Sequence, residues 1–235
     1  MKQYLYAIVD RLPARWRSPT AGIAGGPVVP CRVGDLVLLS SLLDSVPPAN
    51  PRTLALHQDV VATVVDAGAT LPFRYGVAVP EVELQEWLIG RRARVIAALG
   101  AVRGCVEMTV KLLRLEGALV DQLVGSRSGA TPVEPAERDL QALAEVLAER
   151  AQLPQWRYHP AGSAGNVAAA VAFLVPRSDL AGFLARIAPV ASHAGGVAVV
   201  PTGPWAPYSF VPELGDAASG RMPVEAFDGL GRRAG

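Results

Sequence analysis

Histidine, cysteine and paired carboxylates are the side chains with the widest chemical reach, and their spacing in this chain offers few ready-made sites. His57, His159 and His193 are the only histidines. No two of them share a helical turn or a short loop, so a metal site would have to be assembled from distant residues. His57 falls with Leu54 and Val61 on the apolar stripe of a predicted helix, the setting of a hydrogen-bonded core histidine more than of a general base. Cys31 and Cys105 stand far apart, with no neighbour at metal-ligand spacing. Asp44, Asp59, Asp66 and Glu107 would pair for hydrolytic acid–base work only if the tertiary fold brought them together.

Nucleotide and acyl-transfer motifs fail on geometry. No Gly-Lys-Ser/Thr string supplies the backbone cradle and lysine of a P-loop. Gly22, Gly25 and Gly26 are spaced wrongly for a dinucleotide fingerprint and read as a loop. Gly162 to Gly165 (GSAG) lacks the Gly-X-Ser-X-Gly spacing of a nucleophile elbow and reads as a turn. Arg91, Arg92 and Arg94 have no glycine-rich loop beside them and read as a solvated helix face. These residues assign no catalytic group, no cofactor and no metal ligand. The most unusual stretch is aromatic, Thr202 to Val211 (TGPWAPYSFV). Pro204 and Pro207 stiffen it, and Trp205, Tyr208 and Phe210 supply either a recognition surface or the last aromatics of a core.

Composition limits the function classes further. The 235 residues are 51% hydrophobic and 18% charged, which excludes intrinsic disorder. A formal charge of +1 leaves no field to gather nucleic acid or acidic lipid. Lys2 and Lys111 are the only lysines. The apolar start reaches Asp10 and Arg11 too soon for a signal peptide, and no later run is long enough for a membrane span, so a soluble protein of the reducing cytoplasm is expected.

The elements that must position these residues follow from periodicity. Gln3 to Val9 is apolar on both faces and predicts a strand inside a sheet; Asp35 to Leu42 predicts a second strand, with Val28 to Cys31 as a short partner. Asn50 caps a helix with Pro51 in its first turn and Leu54, Val61, Val64 and Val65 on its stripe. Thr70 to Gly76 is extended. Pro80 opens a helix with Leu84, Leu88, Val95 and Leu99 on one face. From Val102 to Leu112 apolar residues alternate with Arg103, Glu107, Thr109 and Lys111, predicting a strand with one wet face. Beyond a turn-rich stretch, a helix is predicted from about Glu134 to Gln152, strands at 157–159 and 167–175, a helix from about Ser178, and a strand at 197–200. The expected fold is α+β, two small sandwiches of ferredoxin-like character, each a sheet with helices mainly on one face. The expected domains are residues 1–124 and 136–211, with 125–135 as linker and 212–235 as a flexible tail.

Together these residues resemble the gas vesicle protein family GvpF/GvpL. The resemblance lies in Tyr4 to Val9 (YLYAIV), the helix carrying His57, Leu71 to Gly76 (LPFRYG), Gly104 to Lys111 (GCVEMTVK), Ala172 to Pro176 (AFLVP), and the closing Gly203-Pro204-Trp205 with Tyr208 to Val211 (YSFV). Cys105 and Met108 stand where polar or aromatic residues are usual, and Tyr75 where Phe is common. The resemblance implies two ferredoxin-like α+β domains, residence at gas vesicles and a non-enzymatic role. It implies a minor component or assembly factor that binds the hydrophobic wall subunit, GvpA, and assists nucleation of the shell. Binding through a sheet edge or an aromatic surface is expected, with Arg74, Tyr75, Trp205, Tyr208 and Phe210 as contact residues and other vesicle accessory proteins as further partners. The competing classes are a regulatory ligand-binding protein or enzyme on the same scaffold, and a structural oligomerisation module.

Overall fold

The first strand, β1 (Lys2–Val9), is buried without exposure from Tyr4 onward, as its continuous apolar run requires. The structure, a computed structural model, describes residues 1–19, 21–66, 68–115, 137–160, 165–193 and 196–212. β1 pairs antiparallel with β3 (Leu36–Leu43), which pairs antiparallel with the edge strand β2 (Val29–Val33). On its other side β1 meets two short strands, β4 (Thr70–Pro72) opposite Ala7 to Val9 and β5 (Ala78–Pro80) opposite Lys2 to Tyr4. A register shift between Leu5 and Ala7 inserts one extra residue. That bulge resets the alternation of faces, so Tyr4, Tyr6, Ala7 and Val9 all enter one core cluster. The order β2-β3-β1-β4, with β5 also on β1, forms the sheet of the first unit.

Helix α1 (Pro51–Ala62) packs Val60 and Val61 into that cluster. Its start is a reciprocal cap: the Thr53 amide donates to Asn50 Oδ1 at 3.0 Å, and the Asn50 amide donates to Thr53 Oγ1 at 3.0 Å. The helix predicted from Pro80 is divided into a 3-10 turn at 81–83, α2 (Leu84–Ile89) and α3 (Arg92–Val102). Leu84, Leu88, Val95 and Leu99 are buried on one side, as their spacing predicts.

The second unit has the sheet order β7-β8-β6-β9, made of β6 (Cys105–Arg114), β7 (Trp156–Pro160), β8 (Val167–Pro176) and β9 (Val197–Trp205). Helices α4 (Glu137–Ala151) and α5 (Leu180–Ile187) bring Leu140, Ala144, Leu147, Phe183 and Ile187 onto Met108, Val110, Leu112, Val171 and Phe173. Arg186 ties the helices: its guanidinium donates to Asp179 at 2.7 Å and to the Ala151 carbonyl at the end of α4 at 3.0 Å.

Two sequence expectations are corrected here. The chain divides into Met1–Val106 with the stretch from Trp205, and Glu107–Pro204. The strand at 105–114, expected in the first domain, is an interior strand of the second sheet, because its apolar residues find their partners on β8, α4 and α5. The expected linker at 125–135, and the expected tail beyond Pro212, lie outside the described residues. The face of that strand expected to be wet is also covered, with Glu107 only 3% exposed and Thr109 and Lys111 buried beside it. Thr109 Oγ1 donates to Glu107 Oε1 at 3.3 Å. Neighbouring β8 is apolar and buried on both parities, which marks a sheet with two covered faces and makes polar alternation a poor sign of solvent.

Among the described residues, every edge strand carries a proline: Pro30 in β2, Pro72 in β4, Pro80 in β5, Pro160 in β7, and Pro201 with Pro204 in β9. The interior strands β1, β3 and β6 have none, and the prolines of β4, β5 and β7, like that of β8, stand at the last residue of their strands. Proline offers no N–H to a further strand, so both sheets are blunted at their rims.

Candidate functional site

The densest polar arrangement lies inside the first unit. Tyr4 and Tyr6 share one face of β1, their rings 5.0 Å apart edge to face, and His57 of α1 sits against both at 5.7 and 5.5 Å. The Tyr4 hydroxyl is 2.8 Å from His57 Nδ1, and His57 Nε2 is 2.9 Å from the Phe73 carbonyl. A carbonyl only accepts, so Nε2 bears the proton and Nδ1 accepts from Tyr4. Tyr4 Oη in turn accepts from the Gly76 amide at 3.4 Å. Gly76 turns the chain there with φ of +95°, a conformation that favours glycine.

A second chain of bonds runs beside the first. The Ile23 amide donates to Tyr6 Oη at 2.8 Å, Tyr6 donates to Ser41 Oγ at 3.0 Å, and Ser41 donates to the Pro27 carbonyl at 2.8 Å. A Cβ at Gly22 would collide with Tyr6 Oη and Ser41 Oγ. The glycines expected to serve loop flexibility therefore include one required for close approach to this chain.

Burial sets the electrostatics. It pushes His57 down to about 4, partly opposed by the bond to Phe73, so the ring is neutral at pH 7. Burial also raises Tyr4 and Tyr6, which keep their protons. Both nitrogens of His57 are occupied, and each buried hydroxyl donates to a fixed acceptor, so the cluster is a structural network with no base left open to a substrate. Among the described residues no three His, Cys, Asp or Glu side chains converge as a metal site. No helix among them is long and apolar enough to cross a membrane.

The expected contact residues separate in this geometry. Tyr75 is core: it is 8% exposed, stacks edge-on at 5.8 Å from Tyr4, and donates its hydroxyl to the Pro47 carbonyl at 2.9 Å. Its ring is therefore withheld from any partner. Arg74, between the buried Phe73 and Tyr75, is exposed. Trp205, Tyr208 and Phe210 are half-buried, while Ala206 and Tyr208 join the core cluster of the first unit. The structure thus brings Tyr75 and Tyr208 together around Tyr4 and leaves Arg74 facing solvent.

Comparison with known proteins decides the family. The sequence profile described as "Gas vesicle synthesis protein GvpL/GvpF" matches residues 2–152 and again 133–212. The chain belongs to the GvpL/GvpF family. Gas vesicle protein F of Streptomyces sp. (strain CB03234) is 26% identical over 238 residues, covering 90% of this chain and all of that protein. The crystal structures of GvpF from Anabaena sp. PCC7120 and from Microcystis aeruginosa each superpose with a TM-score of 0.67 at 16% identity, covering 90% of this chain and 98% and 99% of theirs. At that identity the superpositions establish the shared α+β fold.

Membership in the GvpL/GvpF family gives the chain a gas vesicle role and bears out the ferredoxin-like α+β reading. Sequence reasoning found His57 as a core histidine but missed its Tyr4 and Phe73 partners. The available signal was the Tyr-X-Tyr spacing of Tyr4 and Tyr6, which places two hydroxyls on one strand face opposite a helix that carries one histidine.

Proposed function

We propose that this chain binds the hydrophobic wall subunit of the gas vesicle, GvpA, and assists nucleation and assembly of the shell by non-covalent association alone. The observation that carries the reading is the aromatic segment that begins at Trp205, the last residue of β9. Ala206 and Pro207 are buried, Ala206 in the core of the first unit, and Trp205, Tyr208 and Phe210 are each partly exposed. Rigid aromatics held this way offer apolar contact at little loss of side-chain entropy. A wall that keeps water out of a gas-filled lumen needs subunits of high hydrophobicity, and such a client is best met by apolar side chains.

The prolines in every described edge strand argue for side-chain contact over strand addition. A protein handling a strand-forming client avoids becoming part of its sheet in this way. Arg74, Trp205, Tyr208 and Phe210 are the contact residues of this reading.

Co-purification of the full chain with soluble wall subunit or intact vesicles tests it. Wild type is expected to associate, and Trp205→Ala to weaken association by about tenfold or more while the melting temperature stays within roughly 3 °C. Absence of association by wild type ends the reading. Full affinity in a folded Trp205→Ala variant removes the aromatic segment from it, and loss of folding would make that tryptophan part of the core.

A further inference from the structure

From Arg11 to Gly34 the chain carries four arginines and no aspartate or glutamate, in a protein whose 21 acidic and 22 basic residues nearly balance. The carboxylates at the two borders of this stretch are already taken. Asp10 accepts from Arg103 and, at 3.0 Å, from the Ala69 amide, and Asp35 accepts from Arg92 at 2.7 Å. Both of those arginines belong to α3 or its C-cap, so the stretch loses its nearest counter-charges to another element. Arg11 and Asp10 both border Gly68, which leaves Arg15 and Arg17 as the uncompensated pair. Among the described residues these two are exposed and their guanidiniums make no hydrogen bond or ion pair. Asp59, on the last turn of α1, pairs with neither.

The loop that bears them is fixed. Trp16, between the two arginines, packs with Leu12 against the first core, and its indole N–H donates to Thr63 Oγ1 at the end of α1 at 3.0 Å. Its amide closes a turn onto the Pro13 carbonyl at 2.9 Å, and Ser18 donates to the Val28 carbonyl just before β2. With Trp16 turned inward, its neighbours on either side are turned out. Two guanidiniums are thus presented on a preorganised base, with little backbone ordering left to lose on contact.

We propose that Arg15 and Arg17, with Arg11 beside them, dock an acidic segment of a partner protein, each guanidinium taking a carboxylate in the bidentate fork geometry. Alternate side chains of an extended peptide share one face, so carboxylates at alternate positions meet both arginines at once. Other polyanions fit less well. Base stacking needs an open aromatic face, and Trp16 lays its ring on the core. A membrane surface calls for apolar side chains directed outward or a larger basic cluster, whereas Leu12 and Trp16 turn inward. The three arginines of this loop also fall short of the roughly six to ten phosphate contacts of a duplex binder. The inference uses none of the residues assigned to the wall subunit and does not depend on that binding.

Fluorescence anisotropy of labelled octaglutamate titrated with the full chain tests it. Wild type is expected to bind with a dissociation constant of about 100 μM at about 50 mM salt, weakening about tenfold at about 300 mM. Arg15→Glu combined with Arg17→Glu is expected to weaken binding by about 30-fold or more, with melting unchanged because neither guanidinium bonds the fold. Arg52→Glu replaces an equally exposed and unpaired arginine in the first turn of α1, controls for bulk charge, and is expected to change binding less than about twofold. Wild type that leaves octaglutamate unbound at about 1 mM overturns the proposal. So does an Arg52→Glu variant as weak as the double variant. Tighter binding of single-stranded oligothymidine or of phosphatidylserine vesicles than of octaglutamate, lost in the same double variant, overturns the choice of a protein partner.

Discussion

The two units build their cores from different materials. In the first, Tyr4, Tyr6, His57 and Ser41 are buried among aliphatic residues and exchange directional hydrogen bonds with Ile23, Pro27, Phe73 and Gly76. In the second, the cluster around Phe173 and Phe183 is aliphatic and aromatic throughout, the two rings tilted at 5.3 Å. The first core is specified by bond direction and proton count; the Phe173–Phe183 cluster, on the opposite parity of β6 from the buried Glu107, Thr109 and Lys111, is specified by volume. A polar core must be satisfied group by group, so one lost partner leaves an orphan; an apolar core loses stability in proportion to the space vacated. The difference predicts distinct responses to mutation and to pH.

The largest effect belongs to the second unit. Phe183 is fully buried against Phe173, Leu147 and Ile187. Phe183→Ala is expected to cost about 3–5 kcal/mol in denaturant unfolding, by the same amount at pH 7 and at pH 4.5, because the residues buried with it in that cluster are hydrophobic. A cost that changed with pH would erase the contrast between the cores.

The next effect belongs to the first unit and is set by His57. Its folded value lies near 4 against an ordinary 6.5, so below pH 6.5 the unfolded chain takes up a proton that the native ring refuses. The contribution is complete above pH 6.5, falls as pH drops through the window from 6.5 to 4, and falls no further below it. At 1.36 kcal/mol per pH unit the loss amounts to about 3 kcal/mol. Tyr4 and Tyr6, held above their ordinary range, stay neutral across that window. His57→Gln is expected to flatten the stability profile between pH 4 and 6.5 while wild type slopes; equal slopes would place the titration elsewhere.

Much of this architecture was legible in the residues. Continuous apolar runs announced β1 and β8, and Asn50 with Pro51 announced the start of α1. Long-range pairing was not legible. Nothing local in Cys105 to Arg114 tells that strand which sheet it will join, and a turn-rich stretch after it drew the expected boundary beyond the real division. The bulge at Tyr6 escaped for a related reason: alternation is read by counting twos, and one inserted residue shifts the count. At the candidate site, aromatic character alone could not separate Tyr75, sunk beside Tyr4, from the half-exposed Trp205 and Phe210. Arg74 was readable as a surface residue because a charged side chain between two aromatics of an extended segment points away from both.

The smallest effect sharpens the comparison most, because it removes one oxygen and almost no volume. Tyr4→Phe keeps the ring contacts with Tyr6, His57 and Tyr75 but deletes the hydroxyl that donates to His57 Nδ1 and accepts from the Gly76 amide. In a core held by volume alone this change would be close to neutral. Here it strands a buried acceptor, and the expected cost is about 1–2 kcal/mol at pH 7. The bond from His57 Nε2 to Phe73 is untouched, so nitrogen-15 chemical shifts should show the Nε2-protonated tautomer in wild type and variant alike. A variant as stable as wild type would mean that shape governs the first core as it governs the second.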